Sequence, residues 1–361
     1  MQWHQFDEED VQACRRVLES GVLCSIGGTE VPAFEAEFAA EMGSPLAMAI
    51  VNAMAGLHCG VVASGAEYGD EVIVDPMVAF ASLGALYHHC TPVFCDIEPD
   101  THLMDATKLP ELLTERTRAI IVTQLWGMCA DMDAINAFAR KHDLLVIEDC
   151  AHAIYATYAG HCAGTLGDVG VYSFQQSKQM GLGDAGMTVM KDEGVREVMN
   201  DMTTFGTVPA RLGWNYRLNE LVAAVGRVQL TRARAYTEMC QASAALYNEA
   251  VEGCEWIVPQ ASRPGRVNTY HIWVSAFAGE EHGISLDQLR EACSEHELGL
   301  RIGYIDRPAY AHAAIADYLD DEPWCPVAED LMPRLLMLGT GGDPSAHQAT
   351  AEKLHEVANA F

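Results

Sequence analysis

The chain has 361 residues, with 51 Asp and Glu against 22 Lys and Arg, a formal charge of −29 and a hydrophobic fraction of 50%. That length supports a large core and two domains. The charge weighs against nucleic acid or an anionic membrane as partner, because long-range repulsion slows every encounter. No apolar run reaches the roughly 20 uninterrupted residues of a membrane helix. The start, Met1-Gln2-Trp3-His4-Gln5-Phe6-Asp7, lacks the basic-then-apolar layout of a secretion signal, so a cytoplasmic protein is expected. The 12 cysteines are scattered through apolar stretches without metal-type spacing, which reads as buried reduced thiols and no metal site.

Taken in chain order, short apolar strands alternate with helical patterns through the first two thirds. A strand is predicted at Ala47 to Val51, leading into a helix from Ala55 to Ala63. Further buried strands are predicted at Glu71 to Val74, Thr91 to Asp96, Ala119 to Gln124 and Leu144 to Glu148. Between the last two, Ala134, Ile135, Phe138 and Ala139 form one apolar face of a helix from Met132 to His142. Such alternation implies an α/β fold with a mostly parallel sheet covered on both sides by helices. Ligands of these sheets gather at the carboxyl ends of the strands.

A long helix from Asn219 to about Cys254 is expected to bridge to a smaller C-terminal α+β domain, with the division placed at 1–235 and 236–361. In that second part Tyr270 to Phe277 reads as a strand and Leu286 to His296 as a helix. Pro308 to Pro326 has prolines at both ends and no clean period, and is expected to be a loop near the substrate.

The run Val146-Ile147-Glu148-Asp149 is apolar and then abruptly acidic, as when a buried strand delivers a carboxylate to its carboxyl end. Downstream come Ser173-Phe174-Gln175-Gln176-Ser177-Lys178 and the glycine-rich Gly181-Leu182-Gly183-Asp184-Ala185-Gly186. An aspartate, a serine and a lysine in this order suit a pyridoxal phosphate enzyme. The lysine amine forms a Schiff base with the cofactor aldehyde, and the buried carboxylate keeps the pyridine nitrogen protonated. Strand alternation puts Glu148 and Asp149 on opposite faces, so one of them serves the cofactor.

Glu148-Asp149-Cys150-Ala151-His152-Ala153, Gly164-Thr165-Leu166-Gly167-Asp168 and Tyr172 to Lys178, in this order, resemble the signature of the DegT/DnrJ/EryC1/StrS aminotransferases. Gly69-Asp70-Glu71-Val72 and Gly213-Trp214-Asn215-Tyr216-Arg217-Leu218-Asn219-Glu220 extend the resemblance along the chain. It implies a fold-type I enzyme that uses pyridoxal phosphate to move an amino group from glutamate or glutamine to a keto sugar or keto cyclitol. It selects Asp149 for the pyridine nitrogen and Lys178 for the Schiff base. It sets Ala151 against one ring face, His152 at the phenolic oxygen, and Ser173 at the phosphate. Asn215 would reach the phosphate of a neighbouring subunit, which implies a homodimer with shared sites.

Two positions depart from the family pattern. Where relatives open a helix with a phosphate-binding Gly-Thr pair, this chain has Ala53-Met54, leaving the backbone amides to bind the phosphate. Where relatives carry a ring-stacking aromatic, the matching residue is Ala79, with Phe80 and Met77 nearby. Gln175-Gln176 resemble the cyclitol aminotransferases, and amides suit neutral hydroxyls. An aminoglycoside-type or amino-sugar product is therefore expected. Two alternatives stand beside this reading. One is a dehydrating or deoxygenating relative, which generally carries histidine at position 178; the other is a non-catalytic regulator that binds sugar or cofactor.

Overall fold

The computed structural model describes residues 6–205, 212–303 and 305–361. Its centre is a seven-stranded sheet. The strands are β1 (Leu46–Ile50), β2 (Glu71–Val74), β3 (Thr91–Phe94), β4 (Thr117–Thr123), β5 (Leu145–Asp149), β6 (Val169–Ser173) and β7 (Gly186–Met190), in the spatial order β1-β7-β6-β5-β4-β2-β3. Only β7 runs antiparallel to its neighbours. The five parallel strands from β6 to β3 therefore end on one edge together with β1, and that edge holds the site.

Both faces of the sheet are buried, which explains its near-continuous apolar runs. Along β1, Ala47 and Ala49 join a cluster with Phe34 and Phe38 of helix α2 (Glu30–Met42), which follows helix α1 (Glu8–Ser20). Met48 and Ile50 point the other way, into a cluster with Leu57 and Val61 of helix α3 (Ala53–Ala63). Helix α3 sits tightly on the sheet because Gly56 has no side chain. A Cβ there would lie 2.6 Å from Val171 and 2.7 Å from Ile50.

Predicted and observed boundaries around the large sheet differ by a residue or two, while the long helix ends at Ala250, four residues before the expected Cys254. Helix α3 begins at Ala53 rather than Ala55, because the Asn52 side chain accepts the Ala55 amide at 2.9 Å and caps the first turn. The helix Met132–His142 has the expected span, capped by Asp131 and ended by the left-handed Asp143. Neither β6 nor β7 is predicted from the sequence: Val169-Gly170-Val171-Tyr172-Ser173 and Gly186-Met187-Thr188-Val189-Met190 have no alternation to mark them, being buried on both faces.

The C-terminal part contains a second, antiparallel sheet of β8 (Ile257–Pro259), β9 (Ile272–Phe277), β10 (Arg301–Ile302) and β11 (Leu335–Gly339), ordered β8-β9-β11-β10. The long helix spans Glu220–Ala250, so a division at 235 falls inside one continuous helix. Its last turns, with Ala244, Tyr247 and Ala250, enter the apolar cluster of Trp273, Phe277, Leu289 and Leu354. Its first residue, Glu220, is buried and accepts the amides of Thr29, Glu30 and Val31 at 2.7, 2.7 and 3.0 Å. It thus caps α2, so this carboxylate of the Gly213–Glu220 motif is structural.

The segment from Pro308 to Pro326, expected as a loop, holds a turn at Ala309–Ala311 and a short helix Ala313–Ala316. The Ala309 amide donates to the Pro76 carbonyl at 2.8 Å, and Asp96 accepts the amides of Val327 and Ala328. The segment is therefore anchored beside the loop that follows β2. Among the described residues no helix is long and apolar enough to cross a membrane, and all 12 cysteines are free thiols.

Candidate active site

A cavity of about 320 Å³ opens at the carboxyl edge of the large sheet. Every strand of the large sheet except β3 contributes to it. Asn52, Ala53 and Met54 follow β1, Val78 and Phe80 follow β2, and Thr123 and Leu125 come from β4. Asp149, Ala151 and His152 come from β5, Ser173, Gln175, Ser177 and Lys178 from β6, and Asp184 and Ala185 precede β7. Eight residues were proposed for the site. Seven of them, all but Asn215, line this one cavity. Asn215 is exposed and bridges to Thr204 outside it.

The two acids of β5 face opposite ways. Asp149 lines the cavity, whereas Glu148 turns into the sheet. There Glu148 accepts Gln124 Nε2 and the amides of Gly164, Leu166 and Gly167, at 2.7 to 2.9 Å. The Gly164–Gly167 motif is thus a cradle for Glu148. Burial pushes the Asp149 carboxyl above its usual range, opposed by the Ala151 amide and by attraction to Lys178. Burial likewise lowers the Lys178 amine to about 8, against the pull of Asp149. On the order of a tenth of that amine is therefore neutral and nucleophilic at pH 7.

The walls fit pyridoxal phosphate. Ala53 and Met54 are the first two residues of α3, whose amides have no intrahelical acceptor, and they line the cavity with the Ser173 hydroxyl. Gly186 keeps this corner open, since a Cβ there would lie 2.9 Å from the Ala53 nitrogen. His152 Nδ1 is buried without a partner among the described residues, and a ligand oxygen would satisfy it. The cover opposite Ala151 differs from the family pattern. Ala79 does not line the cavity and Met77 is buried in the core, leaving Val78 and Phe80 on that side.

Sequence reasoning missed two features here. Trp126, His152 and His271 form a column, with ring centroids 5.9 and 4.4 Å apart and planes within 27°. Trp126 has a left-handed backbone (φ 65°), and its carbonyl accepts the His271 amide at 2.9 Å. Burial, with Lys178 nearby, holds both imidazoles well below their usual range, so they are neutral. His271 opens a strand far along the chain, and nothing local in Tyr270-His271-Ile272 signals its proximity to His152.

The second is Asp75, which follows β2. It is fully buried, accepts the Thr123 hydroxyl and the Met77 amide, and lies close enough to Asp149 to feel its charge. Burial raises its carboxyl from 3.8 to about 6. The folded state then holds a proton that the unfolded chain has released, so stability falls as pH rises from about 4 to 6. Asp75→Asn removes this titration. It is expected to gain about 3 kcal/mol relative to the parent between pH 4 and pH 7, read by urea unfolding of the cofactor-free proteins. An unchanged difference across that range would show that Asp75 does not titrate there.

A buried acid, a lysine of lowered basicity and a helix terminus meeting at the strand edge of an α/β fold make this the site of a pyridoxal phosphate enzyme. The chain belongs to the DegT/DnrJ/EryC1/StrS aminotransferase family, whose model matches residues 4–361. It is 32% identical over 349 residues to an UDP-N-acetyl-3-dehydro-alpha-D-glucosamine 3-aminotransferase of Acidithiobacillus ferrooxidans, covering 91% of each chain. It is 34% identical to a Micromonospora echinospora protein provisionally named L-glutamine:3-amino-2,3-dideoxy-scyllo-inosose aminotransferase. That match covers 73% of this chain and 66% of the relative. DesV of S. venezuelae, solved with a ketimine intermediate, superposes with a TM-score of 0.89 at 29% identity, over 97% of this chain and 94% of DesV.

Proposed function

We propose that this enzyme moves an amino group from glutamate or glutamine to the ring ketone of a sugar or cyclitol, in the making of an aminoglycoside-type or amino-sugar product. The observation that carries the reading is the convergence of Lys178, Asp149 and the α3 terminus on one cavity. Bound there, pyridoxal phosphate supplies the electron sink and the carbonyl that exchanges with amines.

The chain's own residues do the rest. Lys178 would anchor the cofactor through its amine, and the same amine, lowered by burial, would serve as general acid and base at the reacting carbon. Asp149 would hold the ring nitrogen protonated, an interaction that its burial strengthens. His152, held in the ring column, would meet the phenolic oxygen through its unpartnered Nδ1. Ser173 and the amides of Ala53 and Met54 would hold the phosphate, and Asn215 would reach the site of a second copy in a homodimer. The exposure of Asn215 and its place outside its own cavity support that shared arrangement.

The test follows the cofactor's visible absorption band. Glutamate or glutamine should abolish the band of the loaded enzyme, and a keto sugar or keto cyclitol should restore it. Failure of both donors to change the band would refute the proposal.

A further inference from the structure

The loop that carries Lys178 closes a hairpin between β6 and β7. Register from the paired strands runs Ser173 opposite Gly186. Beyond it the Phe174 amide donates to the Ala185 carbonyl at 2.8 Å and the Gln176 amide to the Gly183 carbonyl at 2.9 Å. These two bonds bracket Gln175 and Asp184, which therefore face each other on one side of the hairpin, with Cβ atoms about 5 Å apart. That side is the cavity: both residues line it, exposed at its mouth, three and six positions from Lys178.

Their polar atoms are sorted. Gln175 Oε1 accepts both the amide and the hydroxyl of Ser177, at 2.7 and 2.6 Å. The amide flip is thereby fixed, and Nε2 keeps its N–H donors for a ligand in the cavity that Gln175 lines. No hydrogen bond from Nε2, and none to the Asp184 carboxylate, is made by another described residue. The pair thus presents a donor and an ionised acceptor side by side at the mouth of a reactive cavity. Neighbouring ring hydroxyls match this arrangement, since one oxygen accepts from Gln175 while the next hydroxyl donates to Asp184. A phosphate at the same place would have no cation from this pair and would meet the Asp184 charge.

We infer that Gln175 and Asp184 are the specificity pair of this enzyme, gripping two adjacent hydroxyls of a polyhydroxylated ring ketone so that its carbonyl faces Lys178. The inference rests on the aminotransferase reading above and deepens it. A site that hydrogen-bonds substrate hydroxyls rejects an analogue lacking one of them, because its own polar groups are then left unpaired.

The experiment uses loaded enzyme converted to its amine form with glutamine, then mixed with scyllo-inosose or each of its singly deoxygenated analogues. The second half-reaction is followed by return of the visible band. For the parent enzyme, kcat/KM on scyllo-inosose should exceed that on two single-deoxy analogues, lacking adjacent hydroxyls, by about 100-fold or more each. Gln175→Leu should bring the ratio for one of these two analogues to within about threefold of unity and Asp184→Ala the ratio for the other, at unchanged thermal stability, since both side chains are exposed. Three results would overturn the inference: ratios near unity in the parent, parental ratios in either variant, or reaction of the parent with none of these ketones. Failure of glutamine and glutamate to abolish the band sinks instead the aminotransferase reading itself.

Discussion

Lys178→Ala is expected to lose the cofactor's visible band and to lower transamination by at least about 10⁴-fold. The magnitude follows from position. One amine serves as the covalent anchor and as the general acid–base, and the latter role alone is typically worth 10² to 10⁴. No other lysine or arginine of this chain lines the cavity among its described residues, so the deletion has no local substitute. The parent enzyme gives a second signature. With the amine lowered to about 8 by burial, capture of added pyridoxal phosphate by cofactor-free protein should accelerate as pH rises through 8 and then level off. Reduction with borohydride, followed by peptide mapping, should place the label on residue 178. A label elsewhere, or a visible band retained in Lys178→Ala, would remove the assignment.

Much of this site was legible because its parts are local. A strand that ends in an acid, a hydroxyl five residues before a lysine, and a cluster of glycines are all short-range patterns. The parallel order of the strands then brings their carboxyl ends to one edge without further information. What could not be read depends on pairings between distant segments. The stack of His152 on His271 joins residues from the two sheets. Asp75 was not singled out because nothing next to it in sequence announces that Thr123 and Asp149 lie beside it. The facing of Gln175 and Asp184 required the hairpin register, although both residues stood in recognised motifs. The missing aromatic at Ala79 had an answer in the loop's path. The chain reaches helix α4 (Ala79–Leu86) with Val78 and Phe80, not Ala79, turned to the cavity.

The neighbour of the functional acid should matter for a different reason. Glu148→Ala is expected to cost about 4 kcal/mol of stability, measured by urea unfolding, because it takes the oxygen acceptor from four buried or half-buried donors, leaving Gln124 Nε2 with only Met132 Sδ at 3.2 Å. Those donors are Gln124 Nε2 and the amides of Gly164, Leu166 and Gly167. Each orphaned donor costs about 1–3 kcal/mol, and partial hydration of the vacated space keeps the total below the simple sum. Glu148→Gln tests the argument more sharply, since it preserves shape and hydrogen-bonding capacity in general. A glutamine has one oxygen, so its amide nitrogen must face a pair of N–H donors whichever way it is turned. Gln is therefore expected to lose at least half as much stability as Ala, unlike the near-neutral outcome for an exposed glutamate. The loss should extend to function, because β5 carries Asp149 on the next residue and Gly164–Gly167 braces it from behind. Weaker pyridoxal phosphate binding is expected in both variants. A Glu148→Gln protein as stable as the parent would show that two oxygens are not needed, and that the cradle does not hold the strand end as described.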